Sequence, residues 1–140
     1  MDEVIEVAKA SPNWPPDNAL DLQINDVVDI WADQYHLFTI LNHLLQNAKA
    51  FCSVGDEAIR VIAKEVTEND IIEISVEDNG PGILSGTENK IFEPFYTRRV
   101  DGTGLGLAIG KQMMEEHQGT ISVGSSSLGG AKFTVSFPLP

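Results

Sequence analysis

Apolar and polar residues alternate in several short segments of this chain, and such alternation is typical of strands buried on one face. The alternation occurs in residues 20–24, 58–66, 71–76, 121–123 and 133–137, and residues 27–31 form a further apolar run that also predicts a strand. Residues 67–70 are all polar, and residues 124–130 combine serines with glycines, so both segments favour turns and we expect each of them to close a hairpin.

Two longer segments repeat apolar residues every three or four positions, which is the spacing of one face of a helix. Asp33 is a favourable N-cap for the first helix, which we expect to extend to Phe51. The apolar positions of this helix are Leu37, Ile40 or Leu41, Leu44, Leu45 and Ala48. The second helix covers residues 105–117, with an apolar stripe of Leu105, Ala108, Ile109 and Met113.

The order of these elements, with few helices placed between pairs of strands, predicts an α+β fold rather than a doubly wound parallel sheet. Helices would cover one face of a mixed, mostly antiparallel sheet. The 140 residues suffice for one domain with a core, which we expect to span residues 20–140. Residues 1–19 are short of core positions and rich in prolines, so they predict a linker or tail from an upstream region.

Charge and composition narrow the functions open to this chain. Nine basic residues against twenty-one acidic ones give a net charge of −12, which repels nucleic acid and anionic membranes, so any phosphate site must be local. The lone Cys52 excludes an internal disulfide, and we expect it to pack beside the first helix. There is no apolar run long enough to span a membrane and no signal-like N-terminus, which predicts a soluble, cytoplasmic domain.

The segment Asp101-Gly102-Thr103-Gly104-Leu105-Gly106-Leu107 has glycine at alternate positions and leads into the second predicted helix. Glycines let backbone N–H groups approach a ligand, and a helix start favours an anion, so the segment predicts a phosphate site. A turn that only caps the helix is the alternative. The spacing does not fit a dinucleotide fingerprint, which needs glycine at position 107, or a P-loop, which needs glycine at position 105.

A second glycine-containing segment, Glu77-Asp78-Asn79-Gly80-Pro81-Gly82-Ile83, directly follows a predicted strand. A carboxylate at the end of a buried strand can accept a hydrogen bond from an exocyclic amine such as that of adenine. The glycines that follow open the backbone beside it. A simple Asp-Asn-Gly turn is the alternative.

Two further groups of polar residues are candidates for ligand binding. His43 and Asn47 share one helix face beside leucines that must face the core, so they need polar partners, and an amide oxygen suits Mg²⁺. A hydrogen bond along the helix edge is the alternative for Asn47. Arg98 and Arg99 lie between the aromatic segment 91–97 and the alternate glycines, where arginine can bind phosphate oxygens bidentately. The alternative for the arginines is a solvated loop tip.

These four motifs, in this order and spacing, resemble the ATP-binding catalytic domain of sensor histidine kinases, in the superfamily that includes gyrase, the heat-shock chaperone ATPase and MutL. The family's N box resembles residues 43–51, its first glycine box 78–82, its F box 92–95 and its second glycine box 102–107. The resemblance covers nearly the whole chain and implies a two-layer α/β sandwich. It also implies that residues 102–107 wrap the phosphates beneath a short lid at residues 97–101.

The resemblance supplies a full set of candidate site residues. His43, Asn47 and Arg99 are the candidate catalytic residues, and Asn47 is the candidate ligand of Mg²⁺. The candidate nucleotide-binding residues are Asn47, Ala50, Phe51, Asp78, Gly80, Gly82, Ile83, Phe92, Thr97, Arg98, Arg99, Gly102, Thr103, Gly104, Leu105, Gly106 and Leu107. The implied cofactors are ATP and Mg²⁺, with Asp78 binding the adenine amine.

The implied activity is transfer of the γ-phosphoryl group of ATP to a histidine on a separate dimerisation domain, with a response regulator downstream. None of the chain's three histidines stands in a family-like acceptor motif, so we expect the acceptor on another domain and the isolated chain to be monomeric. An anti-sigma-type serine kinase is one rival function, against which the F box counts. A degenerate nucleotide-sensing or scaffold module without transfer activity is another.

The chain departs from the family's pattern at three places. His43 stands where the family usually has Asn and its ATPase branches have Glu as general base, which argues against gyrase-like hydrolysis. Ala50 stands where a phosphate-contacting lysine is common, so Arg98 or Arg99 is expected to substitute, with Arg99 favoured by its position in the short lid. The segment 129–133 lacks the family's usual hydroxyl residue.

Overall fold

The computed structural model describes residues 9, 12–25, 34–52, 55–83, 86–94, 96 and 106–138. The strands and helices are β1 (Leu20–Asn25), α1 (Gln34–Phe51), β2 (Ile59–Val66), β3 (Ile71–Asp78), α2 (Gly106–Glu116), β4 (Thr120–Ser125) and β5 (Ala131–Pro138), with short 3-10 helices at Thr67–Asn69 and Lys90–Phe92. The strand predicted at residues 27–31 and the N-cap predicted at Asp33 lie outside the described residues.

The five described strands form one mixed sheet in the order β1-β2-β3-β5-β4. The pair β1–β2 is parallel, whereas β2–β3, β3–β5 and β4–β5 are antiparallel. Both predicted hairpins are confirmed, because the segments 67–70 and 124–130 join antiparallel neighbours. The predicted α+β fold with a mostly antiparallel sheet is therefore confirmed as well.

The core lies between the two helices and one face of the sheet. Every predicted apolar position of α1 is buried, from Leu37 at 4% exposure to Leu44 and Leu45 at 1% each. The sheet contributes the alternate residues of its central strands, of which Ala63, Ile72 and Val135 are fully enclosed, each at 0%. Burial of each such large aliphatic side chain is worth about 1.5–3 kcal/mol, so this layer holds the fold together.

The apolar stripe predicted for α2 was wrong at Ile109, whereas Met113 packs against the core as predicted. Gly110 and Met114 are the buried residues of this helix, whereas Ile109 is 37% exposed. Glycine has no side chain to count as apolar, so a pattern based on side chains misses the face on which Gly110 lies. A Cβ at Gly110 would lie 3.9 Å from Cδ1 of Ile121, so this face of α2 packs against β4.

The segment before β1 packs against the domain. Trp14 is partly buried against the hydrophobic core, and Pro15 is buried. The side-chain amide of Asn13 donates a hydrogen bond to the side-chain oxygen of Asn42 on α1, at 3.2 Å. The expected boundary at residue 20 therefore leaves out contacts that the helix layer makes. No helix in the described part of the chain combines the length and apolarity that crossing a membrane requires.

Candidate functional site

An open cleft lies where the C-terminal half of α1, the end of β3 and the beginning of α2 meet. Its empty space, including the open mouth, is about 720 Å³. The cleft is lined by His43, Gln46, Asn47, Phe51, Asp78, Gly82, Ile83, Ile91, Tyr96, Gly106, Leu107, Ala131 and Phe133. Most of these side chains are apolar, so the few polar ones would determine the orientation of a ligand.

Asp78, the last residue of β3, is a buried carboxylate in this cleft, with an exposure of 2%. Its Oδ1 accepts hydrogen bonds from the backbone N–H groups of Gly80 at 2.9 Å and Ala131 at 3.3 Å. Among the described residues, both side-chain hydrogen bonds therefore fall on one oxygen. The other oxygen, Oδ2, is left to accept a hydrogen bond from a ligand.

Close backbone approaches around Asp78 require glycine at two positions. A Cβ at Gly130 would clash with Oδ1 of Asp78, and a Cβ at Gly80 would clash with the carbonyl oxygen of Phe51. The backbone N–H of Gly130 donates to the carbonyl oxygen of Asp78 at 3.1 Å. Segments that are far apart in sequence are thus packed directly onto the carboxylate.

The environment of Asp78 changes its protonation equilibrium in two opposing ways. Burial raises the pKa of this carboxyl above its ordinary value, because the charged form loses contact with water. The hydrogen bonds from the amides of Gly80 and Ala131 oppose that rise by stabilising the carboxylate. Burial is the larger effect, and a buried carboxyl with a raised pKa in a cleft is typical of a functional site.

The opposite wall of the cleft is polar and comes from α1. His43 and Asn47 lie one turn apart and both line the cleft, as the helical spacing predicted. The His43 ring packs against the first turn of α2, since a Cβ at Gly106 would lie 2.9 Å from its Nδ1. The free N–H groups at the start of α2 and the amide of Asn47 therefore border the same space.

An apolar wall separates the two polar ends. Phe51, Ile83, Ile91, Tyr96 and Phe133 contribute to it. Phe92 packs edge-on against Phe133, with ring centroids 6.4 Å apart and an interplanar angle of 86°, and so supports this wall from behind. An apolar wall beside a buried carboxylate suits a ligand that has a flat ring with a polar edge.

The structure brings together eight of the residues predicted from the sequence: His43, Asn47, Phe51, Asp78, Gly82, Ile83, Gly106 and Leu107 all line the cleft. Ala50, Gly80 and Phe92 are not among the lining residues, and Ala50 is exposed on α1. Thr97, Arg98, Arg99, Gly102, Thr103, Gly104 and Leu105 lie outside the described residues.

The sequence analysis missed five lining residues: Gln46, Ile91, Tyr96, Ala131 and Phe133. Gln46 lies three residues after His43, so helical spacing was a usable signal. Ile91 and Tyr96 belong to the aromatic segment that the sequence already singled out. Ala131 and Phe133 reach the cleft only because β5 pairs with β3, which places Phe133 opposite Val76.

The family model described as histidine kinase-, DNA gyrase B-, and HSP90-like ATPase matches residues 32–140. The chain is 38% identical over 115 residues to the signal transduction histidine-protein kinase AtoS of Escherichia coli. The matched region covers 82% of this chain and 19% of AtoS. It is 39% identical over 105 residues to the C4-dicarboxylate transport sensor protein DctB of Rhizobium meliloti, covering 74% of this chain and 17% of DctB. The chain thus spans about a fifth of the length of these relatives.

Solved structures of similar proteins share the fold. The catalytic domain of histidine kinase ThkA superposes with a TM-score of 0.80 at 26% identity, covering 98% of this chain and 90% of that one. Full-length ShkA in complex with AMPPNP superposes with a TM-score of 0.77 at 28% identity, covering 98% of this chain and 29% of ShkA.

Proposed function

Because the chain belongs to the histidine kinase-, DNA gyrase B- and HSP90-like ATPases, we propose that it is the ATP-binding catalytic domain of a two-component sensor histidine kinase. The observation that carries the proposal is the cleft itself, with a buried acceptor at Asp78, an apolar wall and the polar Asn47 beside a helix start. Asp78 matches the amine of an adenine nucleotide, the apolar wall matches its ring, and Asn47 with the helix start matches its phosphates.

The residues of the cleft fit ATP and Mg²⁺. Oδ2 of Asp78 accepts a hydrogen bond from the adenine amine, while the apolar side chains exclude water from the base. Asn47 supplies an amide oxygen to Mg²⁺, a cation that keeps most of its waters and is otherwise bound through substrate phosphates. The described residues hold no cluster of three or more acidic, histidine or cysteine side chains that would bind a metal ion alone, which is consistent with a nucleotide-borne metal. When bound, Mg²⁺ neutralises charge on the phosphates.

Phosphoryl transfer in this proposal needs mainly positioning and charge neutralisation from this chain. The start of α2 holds the phosphates through backbone N–H groups, with His43 packed against it. The acceptor is a histidine on a separate dimerisation domain, which we place upstream of residues 1–19, and a response regulator receives the group afterwards. We propose that residues 20–140 act as the catalytic domain in the cytoplasm and are monomeric when isolated.

A lid arginine is the proposed cation for the γ-phosphate. Ala50 has no charge, and it is exposed and outside the cleft lining, so position 50 supplies no cation to the cleft. Arg99 is favoured over Arg98, and loss of a charged hydrogen-bond partner costs about 1.5–3 kcal/mol, or roughly tenfold to a hundredfold in affinity. Titration of ATP and ADP into Arg98→Ala and Arg99→Ala checks this proposal, since a γ-phosphate contact predicts a larger loss for ATP. Equal small losses for both nucleotides in both variants would show a solvated loop instead.

Binding and transfer assays test the proposed function separately. Calorimetry with Mg²⁺ and ATP is expected to show binding that Asn47→Asp weakens in the presence of the metal. A dimerisation domain from a related kinase, supplied in trans with radiolabelled ATP, is expected to become phosphorylated on histidine. Binding without transfer to any supplied acceptor domain would favour the nucleotide-sensing module, and absence of nucleotide binding would refute both functions.

A further inference from the structure

We propose that Glu77 and Ser126 form a positioning pair that holds the Asp78 carboxylate in the orientation required to select adenine. The inference rests on the proposed function, because it concerns how the same cleft recognises the base. Neither residue lines the cleft, so neither acts by contact with the ligand. Both are buried, Glu77 at 2% exposure and Ser126 at 9%.

Glu77 and Asp78 are consecutive residues at the end of β3 and so point to opposite faces of the sheet. Asp78 faces the cleft on the helix-covered side, together with Ile74 and Val76. Glu77 lies on the other face with Ser75. A carboxylate on that face cannot touch the base, yet it is attached to the residue that we expect to touch it.

The Glu77 side chain is joined to the turn between β4 and β5 by a short hydrogen bond. The Ser126 hydroxyl donates to Oε1 of Glu77 at 2.7 Å and accepts from the backbone N–H of Leu128 at 3.0 Å. Two backbone hydrogen bonds close the same turn, from Ser126 N–H to the Gly130 carbonyl at 2.8 Å and from Gly129 N–H to the Ser126 carbonyl at 3.0 Å. Ser126 therefore fixes the near end of the turn to the Glu77 side chain.

The far end of this turn contacts Asp78 directly. Gly130 N–H donates to the Asp78 carbonyl, and Ala131 N–H donates to Asp78 Oδ1 at 3.3 Å. The turn is thus bonded to Glu77 on one face of the sheet and to Asp78 on the other. A shift of the turn moves the amide of Ala131, and with it one of the two bonds that keep Oδ1 engaged and Oδ2 turned toward the cleft.

Arg60 on β2 provides a second attachment on the face of Glu77. Its Nη1 donates to Ser127 Oγ at 3.0 Å and lies 3.6 Å from Oε2 of Glu77, while its Nε donates to Asp21 at 2.9 Å. Oε2 is buried without a hydrogen-bond partner among the described residues. Arg60 pairs the charge of this buried carboxylate and also bonds to Ser127, so Glu77 is tied to the turn through Ser126 and through Arg60.

The preference of the cleft for ADP over IDP tests whether Ser126 and Glu77 position Asp78 or only stabilise the fold. Adenine presents an amine donor at position 6, whereas hypoxanthine presents an oxygen acceptor, so a well-placed Asp78 carboxylate prefers ADP over IDP. We expect Ser126→Ala to reduce the ADP-to-IDP affinity ratio about threefold to tenfold, the range for one hydrogen bond. Ser126→Thr, which keeps the hydroxyl, should restore the wild-type ratio.

The experiment is calorimetric titration of ADP and IDP into the full chain, with thermal melting recorded for each variant. Ser75→Ala is the matched control, since Ser75 is a buried serine on the same face of β3 as Glu77. Its hydroxyl is hydrogen-bonded to the hydroxyl of Thr134 on β5, at 3.0 Å, rather than to the turn. This control should lose stability without a change in the ratio. Glu77→Ala breaks the Ser126 bond from its other side, so it should lower the ratio equally and leave Ser126→Ala without further effect.

Each outcome has a distinct meaning. A wild-type chain that binds ADP and IDP equally refutes adenine selection by Asp78, and the positioning role falls with it. A wild-type preference for ADP that persists in folded Ser126→Ala and Glu77→Ala variants leaves the proposed function intact and overturns the positioning role. If Ser126→Ala does not fold, the Glu77→Ala variant decides. A fall in the ratio for Ser75→Ala as large as that for Ser126→Ala would also overturn the inference, because stability alone would then explain the effect.

Discussion

The substitution Asp78→Asn should reverse the base preference of the cleft. Asp78 uses Oδ1 for two backbone N–H donors and is left with Oδ2 for a ligand donor. An asparagine side chain has one oxygen and one NH₂ group. If its oxygen takes the place of Oδ1, its NH₂ faces the adenine amine, donor against donor. If it turns over, the NH₂ instead opposes the N–H groups of Gly80 and Ala131. Both orientations are unfavourable with adenine.

The size of the effect follows from the burial of the site. A hydrogen bond to a charged group is worth about 1.5–3 kcal/mol, and a buried donor left unpaired costs about 1–3 kcal/mol, so ADP affinity should fall roughly tenfold to a hundredfold. IDP should lose little or gain, because its position-6 oxygen can accept from the new NH₂ group. The exposure of 2% makes compensation by bulk water small.

Calorimetric titrations of ADP and IDP into the wild type and the variant measure both affinities, and thermal melting confirms that the variant is folded. The expected result is a crossover in preference rather than a uniform loss. A variant that binds ADP as tightly as the wild type, or that loses both nucleotides equally while folded, would refute the assignment of Asp78 to the base.

Three further results are expected. Gly130→Ala should abolish ADP binding in calorimetry because its Cβ would clash with Asp78, whereas Gly124→Ala, which has no atom within 4 Å of the added carbon, should bind normally; equal binding by both would contradict the packing. ADP affinity should fall as pH decreases through the raised pKa of Asp78, because protonation of Oδ2 places an O–H donor opposite the adenine amine and removes the negative charge, so the loss should begin at a higher pH than for an ordinary aspartate and be missing in Asp78→Asn. Cys52, at 8% exposure and with a pKa raised by burial, should react slowly with a thiol reagent at neutral pH until denaturant is added, and rapid native labelling would argue against its position.

Features set by local sequence were predicted well. The hairpin β2–β3 and the buried face of α1 follow from alternation and helical spacing within each segment, and both are confirmed. The prediction for α2 was wrong at Ile109 because Gly110 carries no side chain, so the face that packs against β4 cannot be recognised from apolar side chains alone.

In the candidate site, too, residues recognisable from local sequence were predicted and residues brought in by strand pairing were not. Asp78 and Asn47 were candidates from local context, where a simple turn and a helix-edge hydrogen bond were the alternatives, and the resemblance to the family assigned their roles. Ala131 was missed as a neighbour of Asp78, since the pairing of β3 with β5 that joins them spans more than fifty residues. The hydrogen bond between Glu77 and Ser126 could not be predicted either, because it joins β3 to a turn 49 residues further along the chain.

The packing of Trp14 and Asn13 against the domain has a practical consequence for expression of shorter fragments. A fragment that begins at Leu20 would leave uncovered the apolar surface on which Trp14 rests and would remove the amide that binds Asn42. Exposed apolar surface of this kind promotes aggregation. Because Asn42 precedes His43 directly, the start point chosen for such a fragment would also remove a contact of the helix that carries His43 and Asn47, so it affects a wall of the cleft as well as solubility.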